Sequence, residues 1–327
     1  MRSFENKTIM VIGARGYIGS SFVNYLKNKY CNIIRIGRDP KIFSPIRKTI
    51  ANVEDIELNF NSKEYIDAVR RSNVIFYFSA QTSTYTAEKD ILKDYEDSVS
   101  PIVKLLSLCE KLSTKPTLIF SSAVTICGLV EKLPVNETFK DNPITIYDIH
   151  KLTIEQYIKF YAKKNIIKGC ILRLSNVYGP GVNSSSSDRG ILNLMIKKAL
   201  NGENLTLYGS GEFLRDYIYI DDVISAFAHA YFHIDNETNG KCYVLGTGIK
   251  KSIKNAFDII VKKSQKIVSN NVLIESVSMP TKISDIEYRN FIADSSCFCS
   301  ETNWKAKVNL ESGIEKTMNN FKKLIKE

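Results

Sequence analysis

No apolar run in this 327-residue chain reaches the roughly 20 residues needed to cross a bilayer, which sets a membrane-spanning role aside. The polar segment Met1–Lys7 leads straight into Thr8–Ile12, without the apolar stretch and small-residue cleavage site of a signal peptide. Histidine is scarce: His150, His229 and His233 are the whole complement, and they supply no ligand cluster. Seven cysteines are scattered with no Cys-x-x-Cys pair, a pattern of reduced thiols rather than of a disulfide framework or a zinc site. The expectation is therefore a cytoplasmic protein without a metal. Low-complexity tracts and internal repeats are missing too.

What is present is the composition of a folded globular chain, 44% hydrophobic and 24% charged. The net charge of +10 comes from dispersed lysines such as Lys163-Lys164, Lys197-Lys198 and Lys262-Lys263. No basic block is interleaved with aromatics, so a nucleic-acid partner is not expected. Solvated helix faces absorb most of the surplus; an anionic small substrate and a phosphorylated cofactor fit the rest.

Short apolar runs alternate with amphipathic stretches through the first half. Candidate strands are Thr8–Ile12, Ile33–Ile36, Val74–Phe78, Thr117–Ser121 and Cys170–Leu174. Candidate helices are Tyr17–Lys29, Ser62–Arg71, Ile91–Lys111 and Tyr147–Lys163. The alternation predicts an α/β fold, a doubly wound parallel (Rossmann) sheet covered on both faces. After about Val182 the elements shorten and a polar loop, Asn183-Ser-Ser-Ser-Ser187, intervenes. This predicts a dinucleotide-binding domain over 1–181 and a smaller α/β substrate domain over 182–327, with segments after 210 free to rejoin the first.

Gly13-Ala-Arg-Gly16-Tyr-Ile-Gly19 lies between the first strand and the first helix. A tight turn there needs glycine, and the helix N-terminus behind it offers free N–H groups and a positive dipole end to a pyrophosphate. The last glycine lets helix and strand pack closely. Candidate cofactor contacts are Gly13, Arg15, Gly16, Tyr17, Ile18 and Gly19. Further along, Arg38, Asn59, Phe60, Phe78, Ser79 and Ala80 join them, with Tyr147 and Lys151. The second strand ends Ile36-Gly37-Arg38-Asp39, with glycine where an acid would hold the ribose of NAD. Arg15 and Arg38 suit a 2′-phosphate, so NADP(H) is favoured and NAD(H) remains possible.

Tyr147-Asp-Ile-His-Lys151 sets a phenol and an ammonium four residues apart, on one helix face. Hydride chemistry at a carbonyl needs a proton donor or acceptor at the oxygen. A tyrosine serves if its pKa falls from about 10, and a neighbouring ammonium favours that.

These motifs resemble the extended short-chain dehydrogenase/reductase family, which embraces NAD(P)-dependent nucleotide-sugar epimerases, dehydratases and reductases. The likeness rests on the Gly-x-x-Gly-x-x-Gly spacing, Tyr147/Lys151 and Asn176-Val-Tyr178-Gly-Pro-Gly181. Arg215-Asp-Tyr-Ile-Tyr-Ile-Asp221-Asp222, Val244-Leu-Gly246-Thr-Gly248 with Ser252, and Phe291-Ile-Ala-Asp294 with Trp304 extend it over nearly the whole chain. It implies that a hydroxyl after the fifth strand meets the substrate oxygen. That position falls on Ala123, which leaves its neighbours Ser122 and Thr125 as candidates. Thr125 stands where sugar dehydratases carry Glu, and the loop has neither Asp nor Glu, which argues against dehydration. The resemblance further implies that Asn176, Arg215 and Lys282 grip a nucleotide diphosphate, with Arg289 a rival to Lys282. It also implies a homodimer paired through the helices at 91–111 and 147–163.

The function expected is reduction of a 4-keto nucleotide sugar by hydride transfer, with Tyr147 as acid. The alternative is an NAD-dependent 4-epimerase using the same residues. A non-catalytic dinucleotide-sensing regulator is the remote third, motivated by Ala123 alone.

Overall fold

Strand β1 (Thr8–Ile12) shows how this sheet is built. Ile9 and Val11 point into one apolar core while Met10 and Ile12 point into another, the period of two that a strand imposes. The same split recurs in β2 (Asn32–Gly37) and β4 (Val74–Tyr77): Ile33 and Phe76 enter the first core, Ile34, Ile36, Ile75 and Tyr77 the second. Sheets buried on both faces need such uninterrupted apolar strands. Each fully buried side chain of this size contributes about 1.5–3 kcal/mol of transfer free energy.

The structure is a computed structural model that describes residues 3–39, 41, 43, 46, 48–186, 190–268, 271–281 and 283–326. With β3 (Asn52–Glu57), β5 (Thr117–Ala123), β6 (Lys168–Leu174) and β11 (Lys241–Leu245), the sheet runs β11-β6-β5-β4-β1-β2-β3. Every pairing in it is parallel. This is the doubly wound α/β sheet expected from the alternating runs. Strand β11 reaches the sheet from the second half of the chain.

Strand β3 is absent from the sequence-based expectation because Asn52-Val-Glu-Asp-Ile-Glu57 carries too few apolar residues. It forms an edge all the same, held by a two-pronged pair: Arg35 Nε to Asp55 Oδ1 and Arg35 Nη2 to Asp55 Oδ2, both at 2.6 Å.

Helices α1 (Tyr17–Leu26) and α7 (Ile220–Phe232) cover one face. On the other lie α2 (Lys63–Arg71), α4 (Ile91–Glu110) and α5 (Ile146–Lys163), with the short α3 (Thr84–Lys89) against α4 and α5. Helix α5 starts where Thr145 caps it: its Oγ1 accepts from Asp148 N at 3.1 Å and donates to Asp148 Oδ2 at 2.7 Å. No described helix is long and apolar enough to cross a membrane.

Beyond Leu174 the strands shrink to pairs: β7 (Asn176–Tyr178) with β10 (Tyr217–Tyr219), β9 (Leu214–Arg215) with β12 (Lys251–Ser252), β8 (Leu205–Tyr208) with β13 (Ile274–Val277). Helices α6 (Ile191–Leu200), α8 (Ile253–Ser264) and α10 (Leu310–Lys326) pack on one another beside them. After α9 (Ser296–Thr302), Trp304 is buried and donates to Asp222 O at 3.1 Å.

Candidate active site

Sheet order reverses between β1 and β4, and ligands of doubly wound sheets bind at the carboxyl ends beside that point. The glycine turn lies there. Gly13 has φ +83°, and a Cβ on it would stand 2.7 Å from Ser79 N at the end of β4. A Cβ on Gly19 would overlap the Gly13 carbonyl. Helix α1 follows the N-cap Gly16 with no side-chain cap and no acid in its first turn, an end whose leading N–H groups and dipole suit an anion. These residues fit the pyrophosphate of a dinucleotide. Tyr17 does something else: its hydroxyl donates to Gly179 O at 2.8 Å, tying the turn to the Gly179–Gly181 bend.

At the end of β2, the place of the missing acid is filled by an aromatic ring. A Cβ on Gly37 would lie 3.0 Å from the ring of Phe43 and 3.9 Å from Cδ of Arg15. Arg15 is exposed, and Arg38, its side chain 83% exposed, makes only a 3.9 Å approach to Asp97. Of the remaining cofactor candidates, Phe78 packs on Phe227 at 4.8 Å and Phe60 on Tyr65 at 5.1 Å. Ser79 and Ala80 are half-buried at the strand end, whereas Asn59 is exposed and accepts from Asn61 N.

Helix α5 brings Tyr147 and Lys151 to the end of β5. The Lys151 Nζ donates to Ser121 O at 2.8 Å and sits 4.7 Å from the centroid of Phe120 and 5.7 Å from that of Tyr147. The Tyr147 hydroxyl has no hydrogen-bond partner among the described residues. Burial pushes Lys151 down to about 8, against the pull of Glu155, Asp94 and Asp148. Burial also pushes Tyr147 above the ordinary phenol range, and Asp148 and Asp94 add to it. Acidification of the phenol by its lysine is therefore outweighed in the protein on its own. Desolvation is the larger effect.

The two candidate hydroxyls are both turned to carboxylates. Ser122 donates to Glu155 Oε1 at 2.6 Å, inside a buried network in which Arg173 Nη2 meets Glu155 Oε2 at 2.7 Å and Arg173 Nη1 meets Asp141 Oδ1 at 2.6 Å. Thr125 donates to Asp148, which Thr145 also holds. Sequence reasoning counted no acid in the loop and missed Asp148, because the carboxyl arrives from α5.

In the second half, Asn176 lies in β7, and its side chain has no partner among the described residues. Arg215 is buried, with Nη1 donating to the carbonyls of Leu214 and Arg289 and Nη2 to Glu287 O at 2.8 Å. Burial and the neighbouring Arg289 push Arg215 down to about 9. Arg289 itself holds a buried Nε–H with no partner among the described residues. Lys282 lies outside the described residues. Asp216 is a fastener: its carboxylate accepts from Thr247 N, Gly248 N and Ala293 N at 2.8, 2.9 and 3.1 Å. Ser252 caps α8, accepting from Asn255 N at 3.1 Å.

A sequence profile of the NAD dependent epimerase/dehydratase family matches residues 9–246. The chain belongs to that family. Within the family, a UDP-glucose 4-epimerase of Mycolicibacterium smegmatis is 24% identical over 323 residues, 96% of this chain and 98% of that one. A dTDP-4-dehydro-6-deoxyglucose reductase of Escherichia coli is 24% identical over 320 residues, 96% of this chain and 97% of that one. The crystal structure of a Thermotoga maritima UDP-glucose 4-epimerase with UDP-glucose superposes with a TM-score of 0.83 at 26% identity, covering 97% of this chain and 99% of that one. Epimerase/dehydratase enzymes thus share the whole architecture, glycine turn to C-terminal helix.

Proposed function

We propose that the chain is a nucleotide-sugar 4-epimerase acting on a UDP-hexose with retained NAD⁺, rather than the reductase favoured by the sequence. The observation that carries this reading is Tyr147, a phenol without a hydrogen-bond partner among the described residues, beside the Lys151 ammonium at the carboxyl end of β5. When bound, the nicotinamide supplies the acceptor and donor of the hydride and a positive charge beside the phenol. Tyr147 takes the proton of the sugar C4 hydroxyl as the C4 hydrogen leaves, and returns it after the 4-keto sugar has presented its other face. Burial alone keeps Tyr147 protonated, so the phenolate that opens the cycle depends on the Lys151 ammonium and on the positive charge the bound cofactor would add. The proton taken is returned, and the cycle has no net gain of protons or electrons. Lys151 orients the phenol and offers its remaining N–H donors to the ribose. The near-complete match to UDP-glucose 4-epimerases supports the same choice.

Two guanidiniums, the buried Arg215 and the half-buried Arg289, share the half-buried Glu287 carboxylate, 3.9 and 3.8 Å away, and Asp148 also lies within reach of Arg289. Paired guanidiniums suit a diphosphate, and the Nε–H of Arg289, without a partner among the described residues, is the donor left over for it. In this reading Arg289 takes the part expected of Lys282.

One observation favours the second reading, an NADPH-dependent reductase: Phe43 stands where the ribose-binding acid is missing, and Cδ of Arg15 comes within 3.9 Å of that place. A single experiment separates the two. Purified protein given UDP-glucose and no added nicotinamide should form the C4 epimer, seen by proton NMR, and should release NAD⁺ on denaturation. Absence of epimer, together with consumption of added NADPH by a 4-keto nucleotide sugar, would overturn the proposal.

A further inference from the structure

Beside the Tyr147/Lys151 pair lies a second, wholly buried pair. His150 Nδ1 is 2.5 Å from Asp94 Oδ2, joining α5 to the first turn of α4 across 56 residues. Both side chains are buried, His150 to 8% and Asp94 to 4% exposure, and the ring of Tyr95 meets the imidazole edge-on at 5.9 Å. The other carboxylate oxygen, Asp94 Oδ1, is buried with no hydrogen-bond partner among the described residues. Asp94 and His150 border the same small void as Gln81, Ser98, Tyr147 and Lys151.

A carboxylate in a low-dielectric interior needs donors or a cation, and an unsatisfied oxygen is costly. The charges around Lys151 show which carboxylate is free to serve it. Glu155, one turn along α5, is taken by Ser122, by Arg173 of β6 and by Lys159 at 3.8 Å. Asp148, also on α5, is held by Thr125 and Thr145 and lies within reach of Arg289. From α4, Asp97 is drawn to Lys93 and Arg38 at the surface. From α3, Glu88 and Lys89 are exposed. Strand β5 offers only the Ser121 carbonyl. Asp94 alone, among these described residues, presents an uncommitted oxygen, and its other oxygen is fixed by the imidazole.

We propose that Asp94, held in place by His150, is a counter-charge that, alongside Glu155, helps to keep Lys151 an ammonium beside Tyr147. The pair consists of positioning residues for the reaction proposed above: neither touches the sugar, and both act through Lys151. The inference rests on that reading only for its kinetic consequence. The electrostatic claim stands on the protein alone. Burial already draws the Lys151 proton affinity down to about 8, and Asp94 is one of the groups that oppose this.

The test titrates Lys151 directly, by carbon NMR of protein labelled at the lysine ε-carbon. Its resonance is assigned by its loss in Lys151→Arg. In Asp94→Asn the Lys151 midpoint should fall by about 1 pH unit, the effect of removing a nearby opposite charge. His150→Leu should move it the same way, and His150→Asn, which keeps an N–H for Asp94, should restore part of the shift. The alkaline limb of kcat should move with the midpoint while KM changes little. Thermal unfolding of each variant verifies that it folds, and His150→Leu serves should Asp94→Asn fail to do so. An unmoved Lys151 midpoint in the folded variants overturns the inference, whether or not the enzyme turns over. A shifted midpoint in a protein that epimerises no nucleotide sugar upholds the inference and overturns the proposed function instead.

Discussion

Between about pH 8 and the ordinary lysine range, Lys151 is neutral in the folded chain and charged in the unfolded one. The unfolded state then binds the extra proton, so this residue's contribution to stability rises with pH across that window. Below about pH 8 both states are protonated and the full cost of the buried ammonium is present. In the proposed reaction activity runs the other way, because there the ammonium orients and tunes Tyr147. The expected outcome is a rate that declines above about pH 8. In urea unfolding, the stability gained by Lys151→Met should be largest below that pH and shrink above it. Tyr147→Phe should lower kcat by about 100-fold or more, the usual weight of a proton-transfer group, with unchanged thermal unfolding. Arg289→Met should raise KM for the nucleotide sugar by roughly 10-fold with little change in kcat, as expected for one charge-assisted hydrogen bond to a diphosphate. Unchanged KM would remove Arg289 from the substrate site.

Helix α5 was the most legible element. Its amphipathic run, with Tyr147 and Lys151 on one face, predicts a helix over Tyr147–Lys163, and the helix runs Ile146–Lys163. The partners of that helix were hidden. Asp94 meets His150 across 56 residues, and Ser122 meets Glu155 across 33, separations at which no local pattern reports contact. Hence the hydroxyls expected to face a substrate are found on carboxylates, and Asp148 went unnoticed although it adjoins Tyr147. The signal for His150 was present but faint: one of three histidines, placed inside the catalytic spacing.

The outer faces of α4 and α5 carry exposed apolar side chains: Leu92 at 78%, Phe160 at 54% and Ile149 at 43% exposure. Exposed apolar groups on adjacent helices invite burial, and we propose that two subunits pair through them. Light scattering should report a dimer, and Leu92→Glu with Phe160→Glu should report a monomer. A wild-type monomer would contradict the pairing.

Over the whole molecule, the sheet was readable because its strands are apolar on both faces, as in β1 and β4. The second half was not, since pairs such as β9 with β12 are two residues long and carry no period. The proposed function depends on the two halves meeting: Tyr17 bonded to Gly179 ties the glycine turn to the bend that leads into the second half of the chain. The most direct test of the account is to add UDP-glucose to the purified protein and follow the near-ultraviolet absorbance of reduced nicotinamide, in wild type and Tyr147→Phe. The account predicts a small reversible rise without added cofactor in wild type, and a rise at least 100-fold slower in the variant. An equally fast rise in the variant would contradict it.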